Sequence, residues 1–165
     1  MEMRKGAIIV GDTSETYIDN DFVIKKQVRY TEYNLIHNQY EKLQYVRMCP
    51  HVPQILWKED NNTLRMDYCG ATVTEKNLPF DVMRQLEEIR IFLYRAGVVH
   101  RNIKPEHFLV KEGWLYLIGW SWAVFEGQIL FGDETIGYPY KPIKGWDDAY
   151  SLELVAKYYK QWLKN

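Results

Sequence analysis

Cysteine is scarce. Only Cys49 and Cys69 occur in 165 residues, and they form no C-x-x-C pair. That excludes a thiolate metal cluster of the usual spacing and argues against a disulfide framework, so reduced thiols in the cytoplasm are expected. Histidine supplies no metal pattern either: His37, His51, His100 and His107 lack the H-x-x-x-H spacing of a zinc helix. Long hydrophobic runs are missing. Ala7 to Val10 is too short for the core of a signal peptide, and no stretch approaches membrane-spanning length. No charge of one sign dominates. The formal net charge is −1, with Lys and Arg interspersed among Asp and Glu rather than gathered into the basic stripe of a nucleic-acid binder. There is no internal repeat and no low-complexity segment. The expectation is a cytoplasmic chain that engages neither membrane nor nucleic acid.

What is present is enough apolar matter for a core. Hydrophobic residues make up 47% and aromatics 15% of the chain, which rules out a disordered tail. Short β-prone runs open the chain: Ala7 to Val10, Thr16 to Ile18 and Phe22 to Val28, separated by the turns Gly11 to Glu15 and Asp19 to Asp21. Ile36, Tyr40, Leu43 and Val46 predict a helix over Thr31 to Met48, with Thr31 as its N-cap. Gln54 to Lys58 and Thr63 to Gly70 flank an Asn-rich turn and read as a hairpin. Val82, Leu86, Ile89 and Leu93 predict a helix over Pro79 to Ala96 closed by Gly97. Trp114 to Ile118 is an apolar strand. Leu152, Ala156, Tyr159 and Leu163 recur at helical spacing near the C-terminus.

Between the second helix and the Trp114 strand lies His100-Arg101-Asn102-Ile103-Lys104-Pro105-Glu106-His107-Phe108-Leu109-Val110. This stretch resembles the catalytic loop of the eukaryotic-type protein kinases, H-R-D-L-K-P-E-N-x-L-V. Asn102 stands at that family's catalytic aspartate and His107 at its metal-binding asparagine. Leu117-Ile118-Gly119-Trp120 resembles L-I-D-F, with Gly119 at the metal-binding aspartate, and no aspartate occurs between Asp81 and Asp133. Further matches follow in family order. Phe22-Val23-Ile24-Lys25 resembles the V-A-I-K strand and implies that Lys25 is the cleft lysine. Glu41, with Glu32 as fallback, is the implied helix partner of Lys25. Thr63 to Gly70 resembles the strand entering the hinge, which makes Met66 the gatekeeper and offers Asp67 to Cys69 to an adenine. Thr135 to Ile143 resembles the end of an activation segment. Asp147-Asp148-Ala149-Tyr150-Ser151-Leu152 resembles the start of the central helix, where Asp148 would tie helix to catalytic loop, a structural task.

The resemblance implies an α+β class and a single minimal two-lobed kinase-like domain over 1–165. Its small antiparallel-sheet N-lobe with one helix would span about 1–70. A reduced helical C-lobe, about 71–165, would end at the central helix, leaving Tyr158, Tyr159 and Trp162 open to a second copy or a partner. The degenerate positions His100, Arg101, Asn102, Lys104, His107 and Gly119 leave no intact catalytic set. Asn102 cannot accept a proton, and losing a general base alone costs about 10²–10⁴ in rate. Gly119 supplies no hard oxygen, and imidazole suits softer metals than magnesium. The expectation is therefore a pseudokinase that needs no cofactor, with Lys25, Glu41, Met66, Asp67 and Cys69 left as a site where ATP could bind without magnesium. Two other readings stay open: an unorthodox phosphotransferase using Glu106 or His107, and a protein-interaction module or homodimer without ligand, suggested by six tryptophans and thirteen tyrosines.

Overall fold

The structure is a computed structural model, and it describes residues 7–10, 14–18, 21–27, 34–60, 62–127 and 147–163. The architecture is α+β, with small antiparallel sheets and, among the described residues, three α-helices. Strands β1 (Ala7–Val10), β2 (Ser14–Ile18), β3 (Phe22–Gln27), β4 (Ile55–Asp60) and β5 (Thr63–Asp67) form one five-stranded sheet in the order β1-β2-β3-β5-β4. β3 is central, and Lys25 faces Thr16 on one side and Leu64 on the other. Glu15, expected in a turn, lies within β2 opposite Lys26.

Helix α1 (Leu35–Tyr45) packs on β3, β4 and β5. It is shorter than the expected span from Thr31 to Met48. Asn34 caps it, its side-chain oxygen accepting the His37 N–H at 2.8 Å, as a short polar side chain does for an orphan donor of the first turn. Thr31 and Glu32 lie outside the described residues. The buried face of α1 carries Leu35, Ile36, Gln39, Lys42 and Leu43, so two polar residues sit on the stripe that turns inward.

The chain then passes through β6 (Ala71–Thr72) into α2 (Val82–Ala96), which Gly97 ends in the left-handed conformation at φ 65°. After β7 (Val98–Val99), the hairpin of β8 (Phe108–Lys111) and β9 (Trp114–Leu117) joins β6 in a three-stranded sheet. Buried Gln85 of α2 fastens that hairpin: its Nε2 donates to Gly113 O at 2.9 Å and its Oε1 accepts the Leu115 N–H at 2.7 Å. β10 (Val124–Phe125) pairs with β7. Helix α3 (Asp148–Lys160) is capped by Asp147, which accepts the Tyr150 N–H at 2.9 Å.

One apolar core runs through Ile36, Leu64, Ile89, Phe108, Leu117 and Val155. Trp120 is fully buried in it, as expected of a tryptophan. Tyr159 also belongs to this core, packed edge-on against Phe108, which corrects the expectation that it faces a partner. Leu163 lies past the end of α3 and is 41% exposed, so the helical spacing overran the helix. Both cysteines are buried and unbridged. Among the described residues no helix is long and apolar enough to cross a membrane.

Candidate functional site

A cavity of about 610 Å³ opens between the five-stranded sheet and the β6-β8-β9 sheet. Lys25, Met66, Asp67, Cys69, Lys104, His107 and Gly119 all line it. Those seven residues were singled out from separate stretches of sequence, and the fold brings them around one space.

Beta pairing aims Lys25 inward from β3, while Gly70 carries the chain from one sheet to the other. Gly70 has φ 97°, and a Cβ there would fall 2.0 Å from Val110 O, so only glycine lets this connection pass over β8. Just before it, Asp67 is occupied with neighbouring backbone: its N–H donates to Gln54 O at 3.0 Å and its carboxylate accepts the Gln54 N–H at 3.2 Å. Burial pushes the Cys69 thiol up to about 12, so it stays protonated and unreactive.

The opposite wall is the loop after β7. His100 is completely buried. Its Nε2 donates to Ile118 O at 2.9 Å and its Nδ1 accepts the Asn102 N–H at 3.1 Å, which fixes a neutral tautomer. Burial lowers its pKa to about 3. Asp148 ties the same loop to α3, accepting the His100 N–H at 2.7 Å and the Arg101 N–H at 3.1 Å. This pair of hydrogen bonds spans the point where Arg101 takes a φ of 73°, unusual for a non-glycine residue. Arg101 is itself fully buried, with its guanidinium donating to Trp122 O at 3.3 Å. Arg101 and Asp148 thus support the wall from behind.

His107 lies in front. Its Nδ1 donates to Asn102 O at 2.7 Å, and burial, aided by the Lys104 and Lys25 charges, lowers its pKa to about 4. The ring is neutral and rests against Gly119. A Cβ at position 119 would fall 2.4 Å from His107 Nδ1, and Gly119 has φ 82°. With the imidazole where it is, no side chain fits at 119. The two degenerate positions are therefore one steric unit: the ring of one occupies the room that a carboxylate at the other would need.

Glu41 is the residue that sequence reasoning misplaced. Among the described residues Lys25 forms no ion pair, and Glu41, 48% exposed, instead bonds its neighbour Lys42 at 2.8 Å. The residue that α1 turns toward the cavity is Gln39, which is 2% exposed. A helix advances 100° per residue, so residues two apart point to nearly opposite sides. The readable signal was a polar residue on the apolar stripe, in phase with Leu35, Ile36 and Leu43. The partner found for Lys25 is the hydroxyl of Ser121, at 3.3 Å. Burial without a carboxylate lowers the Lys25 pKa to about 8.

Ser121 was also missed. It lies in the 3₁₀ turn Trp120–Trp122, and Asn38 of α1 holds that turn in place, its Nδ2 donating to Ser121 O at 2.9 Å and Ala123 O at 2.8 Å. Among the described residues no group of three or more His, Cys, Asp or Glu side chains converges as a metal site. Residues Thr135 to Ile143 lie outside the described residues, as does Trp146. No protein-family model matches the chain, and no curated protein matches it in sequence.

Proposed function

We propose that the chain is a protein kinase-like protein of two lobes that works by binding rather than by phosphoryl transfer, and that its cavity accepts a nucleotide without a divalent ion. The observation that carries this reading is the His107 ring lying against Gly119, where a carboxylate would be needed to hold a metal on phosphates. Lys25 and Met66, which the resemblance assigns to the cleft, both line a space of about 610 Å³, enough for a nucleoside, and this supports the reading. His107 offers a bare Nε2, yet with a pKa of about 4 it is a weak base at neutral pH, which disfavours the phosphotransferase alternative.

The test is a thermal-shift titration with ATP, in EDTA and again in magnesium, beside an assay of phosphate release. The expected result is a rise in midpoint that ignores magnesium, with no turnover. At a hundredfold excess over Kd the stabilisation is about 2.7 kcal/mol. Magnesium-dependent turnover that Lys25→Ala removes would overturn the proposal. A second reading, a protein-interaction module or homodimer, draws on the apolar side chains exposed at the two ends of α2, Phe80 (93% exposed) and Tyr94 (82% exposed). A light-scattering mass above that of one chain, with no response to ATP, favours it.

A further inference from the structure

Among the described residues, Gln39 and Lys25 are two hydrogen-bond donors without an acid beside them. Among the described residues the buried Gln39 Nε2 has no hydrogen-bond partner, and such an amide costs free energy unless something accepts from it. Lys25 has the Ser121 hydroxyl and no carboxylate. The Asn38 clamp brings α1 onto the 3₁₀ turn that carries Ser121, so both residues approach the same end of the cavity, and both line it. Directly across the ladder from Lys25, Thr16 adds a hydroxyl to the lining.

Among the described residues, the acids that line the cavity lie elsewhere. Asp67 pairs with Phe22, three residues along β3 from Lys25, or roughly 10 Å at the rise of a strand. Its carboxylate already accepts the Gln54 N–H. Glu106 is exposed on the turn Pro105–His107.

We infer that Lys25 and Gln39 form a metal-independent oxyanion subsite, in which a ligand phosphate supplies the counter-ion that α1 does not, and Gln39 Nε2 donates to it directly. This deepens the reading of the cavity as a nucleotide cleft, and it rests on that reading. A helix glutamate in place of Gln39 would neutralise Lys25 internally. The glutamine leaves the cation to the ligand. The ligand class is a nucleotide bearing one or two phosphates, bound as the free anion. A divalent ion adds nothing to this contact, because a chelate still leaves phosphate oxygens for the two donors and no carboxylate fits at Gly119 to hold the ion.

The experiment is calorimetric titration of the full chain in EDTA with adenosine, AMP, ADP and inorganic pyrophosphate, repeated for Gln39→Glu, Gln39→Leu and Lys25→Met. The expected result is that ADP binds at least about tenfold tighter than adenosine, as a charge-assisted contact allows. Gln39→Glu should erase that gain, because the new carboxylate pairs with Lys25 and repels phosphate. Gln39→Leu, close in volume, should lose part of it. Thermal midpoints without ligand identify any variant that fails to fold, and the remaining variants then decide.

Equal binding of adenosine and ADP would overturn the oxyanion subsite while leaving the nucleotide cleft intact. So would a phosphate gain that survives Gln39→Glu. Pyrophosphate binding that depends on Gln39, with no adenosine binding, would uphold the subsite and overturn the nucleotide reading. No binding of any of the four probes would overturn both.

Discussion

His107 and His100 are neighbouring imidazoles, 6.2 Å apart between ring centroids, and both are kept neutral by burial. Their folded pKa values, about 4 and about 3, lie below the ordinary histidine value. The unfolded chain therefore binds protons more readily below about pH 6.5. The stability that the neutral rings contribute is complete above that pH and is lost as pH falls toward the folded values. Lys25 and Lys104 face His107 and oppose its protonation further. Urea denaturation from pH 7 down to 4.5 should show a steep loss of stability. His107→Asn should lose less over the same range, by on the order of 1–2 kcal/mol. Equal pH slopes for the two proteins would mean that His107 is not held neutral. The tautomers were not legible in the sequence, since each depends on a carbonyl or amide brought in by folding.

At the scale of elements, the Asn38 side chain fastens α1 to the turn Trp120–Trp122. Asn38 donates twice, to Ser121 O and Ala123 O, and accepts from Lys42 Nζ at 2.8 Å. Lys42 is fully buried, with its ammonium over the Phe125 ring at 4.4 Å. Asn38→Leu leaves two carbonyls and an ammonium short of a partner. It should destabilise the protein by roughly 2–4 kcal/mol and speed amide exchange in α1. A loss below about 0.5 kcal/mol in urea denaturation would mean that the clamp is dispensable. The existence of α1 and of α2 was legible, because each carries an apolar stripe at helical spacing. The start of α1 was not, because Asn34 rather than Thr31 caps it, and both residue types suit a cap.

For the whole molecule, Asp148 joins α3 to the loop that lines the cavity. Its two oxygens accept consecutive backbone N–H groups, from His100 and Arg101, and so connect the helical side of the core to the site wall. Asp148→Ala should cost about 2–4 kcal/mol, as expected when a charged acceptor is removed from two donors. It should also weaken the proposed nucleotide binding beyond the loss of stability, since the wall carries His107. The check is a pair of measurements, urea denaturation and calorimetry at a temperature where the variant is folded. Intact affinity in a folded Asp148→Ala would show that the wall holds its shape without α3. The resemblance pointed to this aspartate from its place near the start of α3, and its two bonds span 47 and 48 residues of sequence.

The sequence alone determined that the order of apolar strands and helices suits an α+β core, and that no aspartate is available between Asp81 and Asp133. Both are local properties, written in spacing and composition, and they survive any detail of packing. Only tertiary structure decided that Gln39 and not Glu41 turns toward the cavity, and that the His107 ring takes the space above Gly119. Those outcomes depend on the rotation of one helix against a sheet and on the approach of two loops. Helix phase changes by 100° with each residue, and a contact between distant segments is set by how the core closes.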